Sequence, residues 1–276
     1  MGKIVKQTVM AITLSLMLAG IQSAALFAAE KQSEEDLAKK VQNPVADLIS
    51  VPFQNNFNFD VGPEDDLQYV LNIQPVIPIK LSADWSLITR TIVPVISQPG
   101  FTSDQDRVNG IGDIQFTGFL SPANSEGLIW GAGPIVQFPT NTNDRLGNDR
   151  WGLGASVVAL KLSKGSPWVY GALVNNVWSV SGSDSDPSYN NFLIQPFLNY
   201  NFSSGFYLSS APIITADWKA DSGDRWTVPL GGGAGKIVRF GRLPVNLQLQ
   251  AYYNVATPDN GADWQLRFQV QFLFPK

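Results

Sequence analysis

The sequence predicts an all-β fold: a transmembrane, antiparallel, up-and-down β-barrel of about 12 strands with a short N-terminal helical segment. Three observations predict it: the alternation of the last strand, the sparse charge, and turn signals that cut the chain into lengths suited to a membrane. From Trp264 to Phe274, one face carries Trp264, Leu266, Phe268, Val270, Phe272 and Phe274. The other carries Gln265, Arg267, Gln269 and Gln271. Successive side chains of a strand point to opposite faces, so this segment has an oily side for lipid and an amide side for a wet lumen. Only 15% of the residues are charged, against roughly 25% in ordinary soluble domains. Mean hydropathy is −0.01, which leaves no material for hydrophobic helices. Apolar residues placed at every second position of many strands reconcile the two values.

The N-terminus has the layout of an export signal. Lys3 and Lys6 precede the apolar run from Val9 to Ile21, and small residues follow, with cleavage expected after Ala25 or Ala28. The alternative is a retained anchor, but the run falls short of the ~20 residues of a helical span. The chain divides into residues 1–28 as signal, 29–48 as a periplasmic or plug segment, and 49–276 as barrel. Within 29–48, Leu37, Val41, Val45 and Leu48 recur at helical spacing. Ser33 with Asp36 resembles a capping box, and Pro44 ends or kinks the helix.

Strands are expected at 49–59, 67–80, 85–97, 111–120, 128–138, 151–161, 168–180, 190–201, 206–217, 226–238, 244–254 and 264–274. Long polar links (60–66, 98–110, 139–150, 181–189, 218–225, 255–263) alternate with short ones, as outer loops alternate with periplasmic turns. Trp85, Trp130 and Trp168 fall at the periplasmic ends of strands. Trp151, Trp178, Trp218, Trp226 and Trp264 fall at the outer ends, so the indoles form two girdles at the headgroup boundaries. Prolines at 75, 78, 94, 134, 196, 212 and 229 sit awkwardly inside strands, because proline cannot donate to a ladder.

Some chemistry is excluded. The chain has no histidine and no cysteine, which removes Ser-His-Asp catalysis, thiolate or imidazole metal sites, and disulfides, so no catalytic residue, cofactor or metal is expected. The string Gly231 to Lys236 lacks phosphate-loop spacing and has no following Ser or Thr. A strand over which a neighbouring side chain packs closely explains it better. Net charge of −4 argues against nucleic acid. The pore-lining candidates are Arg90, Asp113, Gln115, Gln195, Gln248, Gln250, Arg267 and Gln269. The three charges among them read either as a constriction or as a structural ion pair. Acidic outer links, such as Asp60 to Asp66 and Asp259 to Asp263, face lipopolysaccharide and its bridging cations or are plainly solvated.

Several phrases resemble a widespread bacterial family: NPVADLISVPFQ (43–54), LNIQPVIPIKL (71–81), WSLITRTIVPVI (85–96), WTVPLGGGAGK (226–236), PVNLQLQAYYNV (244–255) and DWQLRFQVQFLFPK (263–276). Its members are labelled MetA-pathway phenol-degradation proteins or, misleadingly, neuromedin U and transporter. The resemblance implies an outer-membrane barrel that admits hydrophobic or aromatic solutes and carries no catalytic residues; the partners expected of such a barrel are outer-membrane lipid, lipopolysaccharide and the barrel assembly machinery. It covers Arg90, Lys236 and Arg267. One departure from the usual barrel ending is that Pro275 and Lys276 follow the terminal Phe274. The expected function is passive uptake of small solutes; the alternative is a closed structural or surface-binding barrel. A soluble lipid-carrying barrel is a third reading, and it would need an oily interior.

Overall fold

The computed structural model describes residues 34–102, 104–124, 127–163, 165–182, 187–241 and 243–274. The expected export signal and Ser33 lie outside the described residues. The strands are β1 (Ile49–Val61), β2 (Asp66–Ile73, resuming as Val76–Lys80), β3 (Trp85–Gln98), β4 (Val108–Ile111, resuming as Ile114–Pro122), β5 (Leu128–Phe138) and β6 (Trp151–Leu162). They continue as β7 (Trp168–Ser181), β8 (Asn190–Asn201), β9 (Phe206–Ser210, resuming as Ile214–Asp217), β10 (Trp226–Phe240), β11 (Leu243–Ala256) and β12 (Trp264–Phe274). Each pairs antiparallel with its neighbours in sequence, and β12 returns to β1, with Ile49 opposite Phe274 and Phe59 opposite Trp264. The result is a closed up-and-down barrel with no free edge.

The first outer link is shorter than expected. β1 and β2 run on until only 62–65 remain as a turn, with Asp60 and Asp65 in the left-handed region that short acidic side chains tolerate.

Alternation sets the two faces. Leu153, Val157, Leu198, Leu230 and Leu249 are exposed on the outside, while Gln54, Asn56, Asn246 and Gln250 are buried inside. Aromatic pairs band the exterior at both ends. Trp85 meets Trp130 and Trp168 meets Tyr200 at the end carrying the short turns. Phe59 stacks on Trp264, Phe138 meets Trp151, and Trp218 meets Trp226 at the other. Trp178 is exposed on the same outer band.

The prolines find their places at interruptions of the ladder. Pro78 lies beyond the end of β1, whose last pairing with this arm is Ser50 with Val76, so no neighbouring strand awaits its missing N–H. Pro94 faces the break in β4, where the Gly112 amide donates to its carbonyl and the register shifts by one residue. On β8 and β9, Leu198 pairs with Ser210 and Ile194 with Ile214, and the same register sets Pro196 opposite Pro212. Neither could donate to the other, and the ladder is interrupted at 211–213. Pro229 sits at a register shift between β10 and β11.

The segment 34–48 lies against inward-facing side chains. A helix, α1 (34–41), is followed by a turn held by the Asn43 side chain, which accepts from the Val45 amide at 3.0 Å. The helix stops before Pro44, so Val45 and Leu48 lie outside it although their spacing continues the helical pattern. Val45 packs with Ile88, Phe119, Val158, Leu160, Val169, Leu173 and Phe197 on one wall. Leu37, Ala38 and Leu48 pack with Tyr207, Ile237 and Leu273 on the other. Gly131 leaves room for this: a Cβ there would sit 3.0 Å from Val45 Cγ1. In the glycine string, a Cβ on Gly235 would collide with the ring of Tyr207, the close packing expected of that strand.

Replacing Gly235 by Val should therefore destabilise the barrel by about 1–3 kcal/mol through overpacking against Tyr207. Thermal loss of the heat-modifiable folded band on a gel reads this, and an unchanged transition would contradict the contact.

Candidate functional site

The lumen wall is built from amides because the inward positions carry Gln54, Asn56 and Asn58 on β1, Asn246, Gln248 and Gln250 on β11, and Gln265, Gln269 and Gln271 around Arg267 on β12. The groups satisfy one another. Gln54 donates to Asn56 Oδ1 at 3.1 Å, and Gln74 donates to Gln54 Oε1 at 3.3 Å. Tyr207 donates to Asn246 Oδ1 at 2.8 Å, Asn246 to Gln271 Oε1 at 3.2 Å, and Gln271 to Ser50 Oγ at 3.1 Å. Buried polar groups that pair in this way avoid the cost of desolvation without partners.

All eight pore-lining candidates are in reach of the interior or its rim, at different levels. Gln195, Gln248 and Gln269 line a cavity of about 120 Å³ beside Val41, Gln42 and Pro44. Gln195 and Gln269 also line a cavity of about 150 Å³ that includes Arg90 and Lys40. Gln250 is buried and donates to Ser209 Oγ at 3.1 Å. Above these levels, a larger cavity of about 470 Å³ opens among the outer links and has Arg267 in its lining.

The three charged candidates are not brought together. Arg90 Nη2 donates to Gln74 Oε1 at 2.6 Å. Arg267, only 4% exposed, donates from Nε to Asn56 Oδ1 at 3.2 Å, from Nη1 to the Ala211 carbonyl at 3.0 Å, and from Nη2 to Gln265 Oε1 at 2.9 Å. Its guanidinium lies 4.9 Å from the centre of the Tyr252 ring. Among the described residues neither arginine makes an ion pair.

Asp113 belongs to the outer rim. It sits at the break in β4 and accepts from the amides of Asn148 (2.7 Å), Asn141 (3.2 Å) and Thr140 (3.3 Å). Gln137 adds a bond at 3.1 Å and itself accepts from Gln115 at 2.9 Å. Burial pushes the Asp113 carboxyl up, against the pull of these donors. Tyr189, in the adjoining link, is raised to about 12 by burial and then by the Asp113 charge. Asp113 therefore ties down the link 139–150 and does not help to form a constriction ring.

Sequence reasoning passed over Tyr252, Ala211 and Lys40. Tyr252 shares the parity of Gln248 and Gln250, so the strand pattern already placed it inward. Ala211 carries no side-chain signal. Its role is backbone: its amide donates to the Tyr252 hydroxyl at 3.1 Å and its carbonyl accepts from Arg267.

No family model and no curated protein matches the chain. Among solved structures, the chain is similar to the COG4313 outer membrane channel from Pseudomonas putida F1, at 18% identity over 82% of this chain and 94% of that one, with a TM-score of 0.62. At that identity the likeness is one of fold. More distant superpositions are LpxR from Salmonella typhimurium (12% identity, 82% of this chain, 100% of that one, TM-score 0.43) and CdiB from Acinetobacter baumannii (9%, 82%, 60%, 0.38). Neither score supports an argument about this chain.

Asp113→Ala should free the link 139–150 without unfolding the barrel, since the lost bonds lie at the rim. Limited proteolysis should then cut this link several times faster, about the factor expected for losing 1 kcal/mol of local order. Unchanged cutting would show that the carboxylate does not organise the link.

Proposed function

We propose that this protein is a passive outer-membrane channel for small solutes, in which residues 34–48 act as a plug that narrows the lumen. It would belong to the phenol-degradation-labelled family that the sequence resembles, have no catalytic role, and reach the membrane by Sec-dependent export and the barrel assembly machinery. Lipopolysaccharide would surround its outer rim. The carrying observation is how the segment is seated. Gln42 and Asn201 exchange two hydrogen bonds, at 2.8 and 3.1 Å, and Val45 and Leu48 reach opposite walls. Release of the segment leaves the strand ladder in place, because the pairing of the wall does not involve it. The outer cavity above it and the amide lining suit polar or amphipathic solutes.

One observation favours a closed barrel instead: the cluster around Val45 is apolar throughout and draws residues from five strands, while the amides bond to one another along the inner wall. Single-channel recording in a planar bilayer separates the two readings. The channel reading expects discrete steps, and larger ones after deletion of residues 30–48. Silence from both proteins, with folded barrel shown by heat modifiability, would establish the filled barrel.

The seat of the plug can be isolated by a single change. Gln42→Ala removes both bonds to Asn201 and leaves the Asn201 bond to the Pro167 carbonyl in place; the loss of about 1–2 kcal/mol should raise the open fraction by roughly tenfold. An open fraction equal to that of the unaltered protein would sink the idea that the Gln42 contact holds the segment in place.

A further inference from the structure

The interior has the opposite sign to the chain as a whole. Net charge is −4, and many of the acidic residues sit on the outer links. Below them the larger cavity meets Arg267, and among the described residues the only acidic one in its lining is Asp259, on the link at the mouth. The next cavity inward has Arg90 and Lys40 in its lining and, among the described residues, no carboxylate.

Arg267 is the more telling group. Its three hydrogen bonds all end on neutral oxygens, and a guanidinium carries five N–H donors, so two remain beyond those bonds. A buried cation without a counterion is costly, and neutral acceptors with an aromatic face offset only part of that cost. A carboxylate matches the guanidinium fork in both charge and geometry. The rest of the cavity suits an apolar body: Phe101, Ile213, Pro229 and Val70 stand in its lining among the amides, and about 470 Å³ is room for a small organic molecule.

We propose that the outer vestibule is a binding site for small monovalent organic carboxylates, with the carboxylate on Arg267 and the apolar body against Phe101, Ile213 and Pro229. Arg90 and Lys40 form the next cationic station inward. The site deepens the channel reading by naming a solute class, and it rests on that reading only for the passage of a solute once bound.

Arg267 also holds the Ala211 carbonyl, so removing it threatens the fold. Asn56→Asp leaves the Arg267 bond to Ala211 in place. It keeps the shape of the acceptor 3.2 Å from Arg267 Nε and supplies an internal counterion, while giving up the Asn56 Nδ2 bond to the Val70 carbonyl at 3.1 Å. The experiment is calorimetric titration of the detergent-folded, full-length mature protein with benzoate, benzamide and benzylammonium, which share a ring and differ in charge. Benzoate should bind about tenfold more tightly than benzamide, and benzylammonium should not bind measurably. In Asn56→Asp the benzoate preference should vanish while the heat-modifiable folded band persists. Arg267→Gln, where it folds, should show the same loss.

Equal binding of benzoate and benzamide, no binding of either, or a preference that survives Asn56→Asp would each overturn the proposal. Titration needs no conduction. Benzoate preference in a protein silent in bilayers would refute the channel and keep the site, and conduction without preference would do the reverse.

Discussion

The eleven residue pairs that join β1 to β12, from Ile49 with Phe274 to Phe59 with Trp264, turn a sheet into a wall without edges. In hydrocarbon there is no water to satisfy a backbone amide, so this closure is the condition on which the other features depend. The prolines test it most severely. Where Pro196 faces Pro212, the wall cannot pair, and the chain at 211–213 takes its partners from the lumen instead. The Ala211 amide donates to Tyr252 and its carbonyl accepts from Arg267 and, at 3.5 Å, from Gln195. Three side chains from β8, β11 and β12 thus do what a strand ladder does elsewhere. Part of the polar lumen exists because the wall has a seam.

Closure also leaves an interior that must be filled or wet. Here both occur, at different depths. The end with short turns is occupied by 34–48, whose Val45 enters a space that Gly131 leaves vacant. The other end stays open, with a cavity of about 470 Å³ bounded by outer links. Burying a few aliphatic side chains contributes about 1.5–3 kcal/mol each relative to exposure. The conformational entropy of ordering some fifteen residues opposes this at about 1 kcal/mol or more per residue. The balance for such a segment is close, unlike that of the wall, and an element in close balance is suited to switching.

Most of the wall was legible in the sequence because period-two alternation and turn residues act locally. The alternation of Gln265, Arg267, Gln269 and Gln271 with aromatics needs no tertiary information, and strands such as β5 and β8 begin and end where the turn clusters put them. Interruptions were not legible, because they depend on what stands opposite. Pro196 is unremarkable until Pro212 is set against it, and the split of β4 depends on Pro94 across the ladder. The site was half legible. Parity put Arg90, Arg267 and the glutamines inside, but parity has no depth scale and could not tell that Asp113 lies at the rim, remote in function from both arginines. The helical spacing from Leu37 to Leu48 pointed to burial and Pro44 to the end of the helix; what spacing could not show is that the turn at Asn43 still aims Val45 at the core.

The division of charge between rim and lumen has a physical consequence. Carboxylates at the outer rim, such as Asp66 paired with Arg107 across 3.5 Å or Asp224 accepting from the Asp259 amide, stand in water and are screened over about 8 Å at physiological salt. Their effect on an approaching anion is weak and brief. Arg267 is screened far less, because burial removes the solvent and ions that would shield it, and Arg90 lies deeper along the same lumen. The sign of the field that a solute meets is therefore set by the few cations inside and not by the many acids outside. That ordering lets an acidic protein, soluble in its outer loops, present a lumen that favours anions.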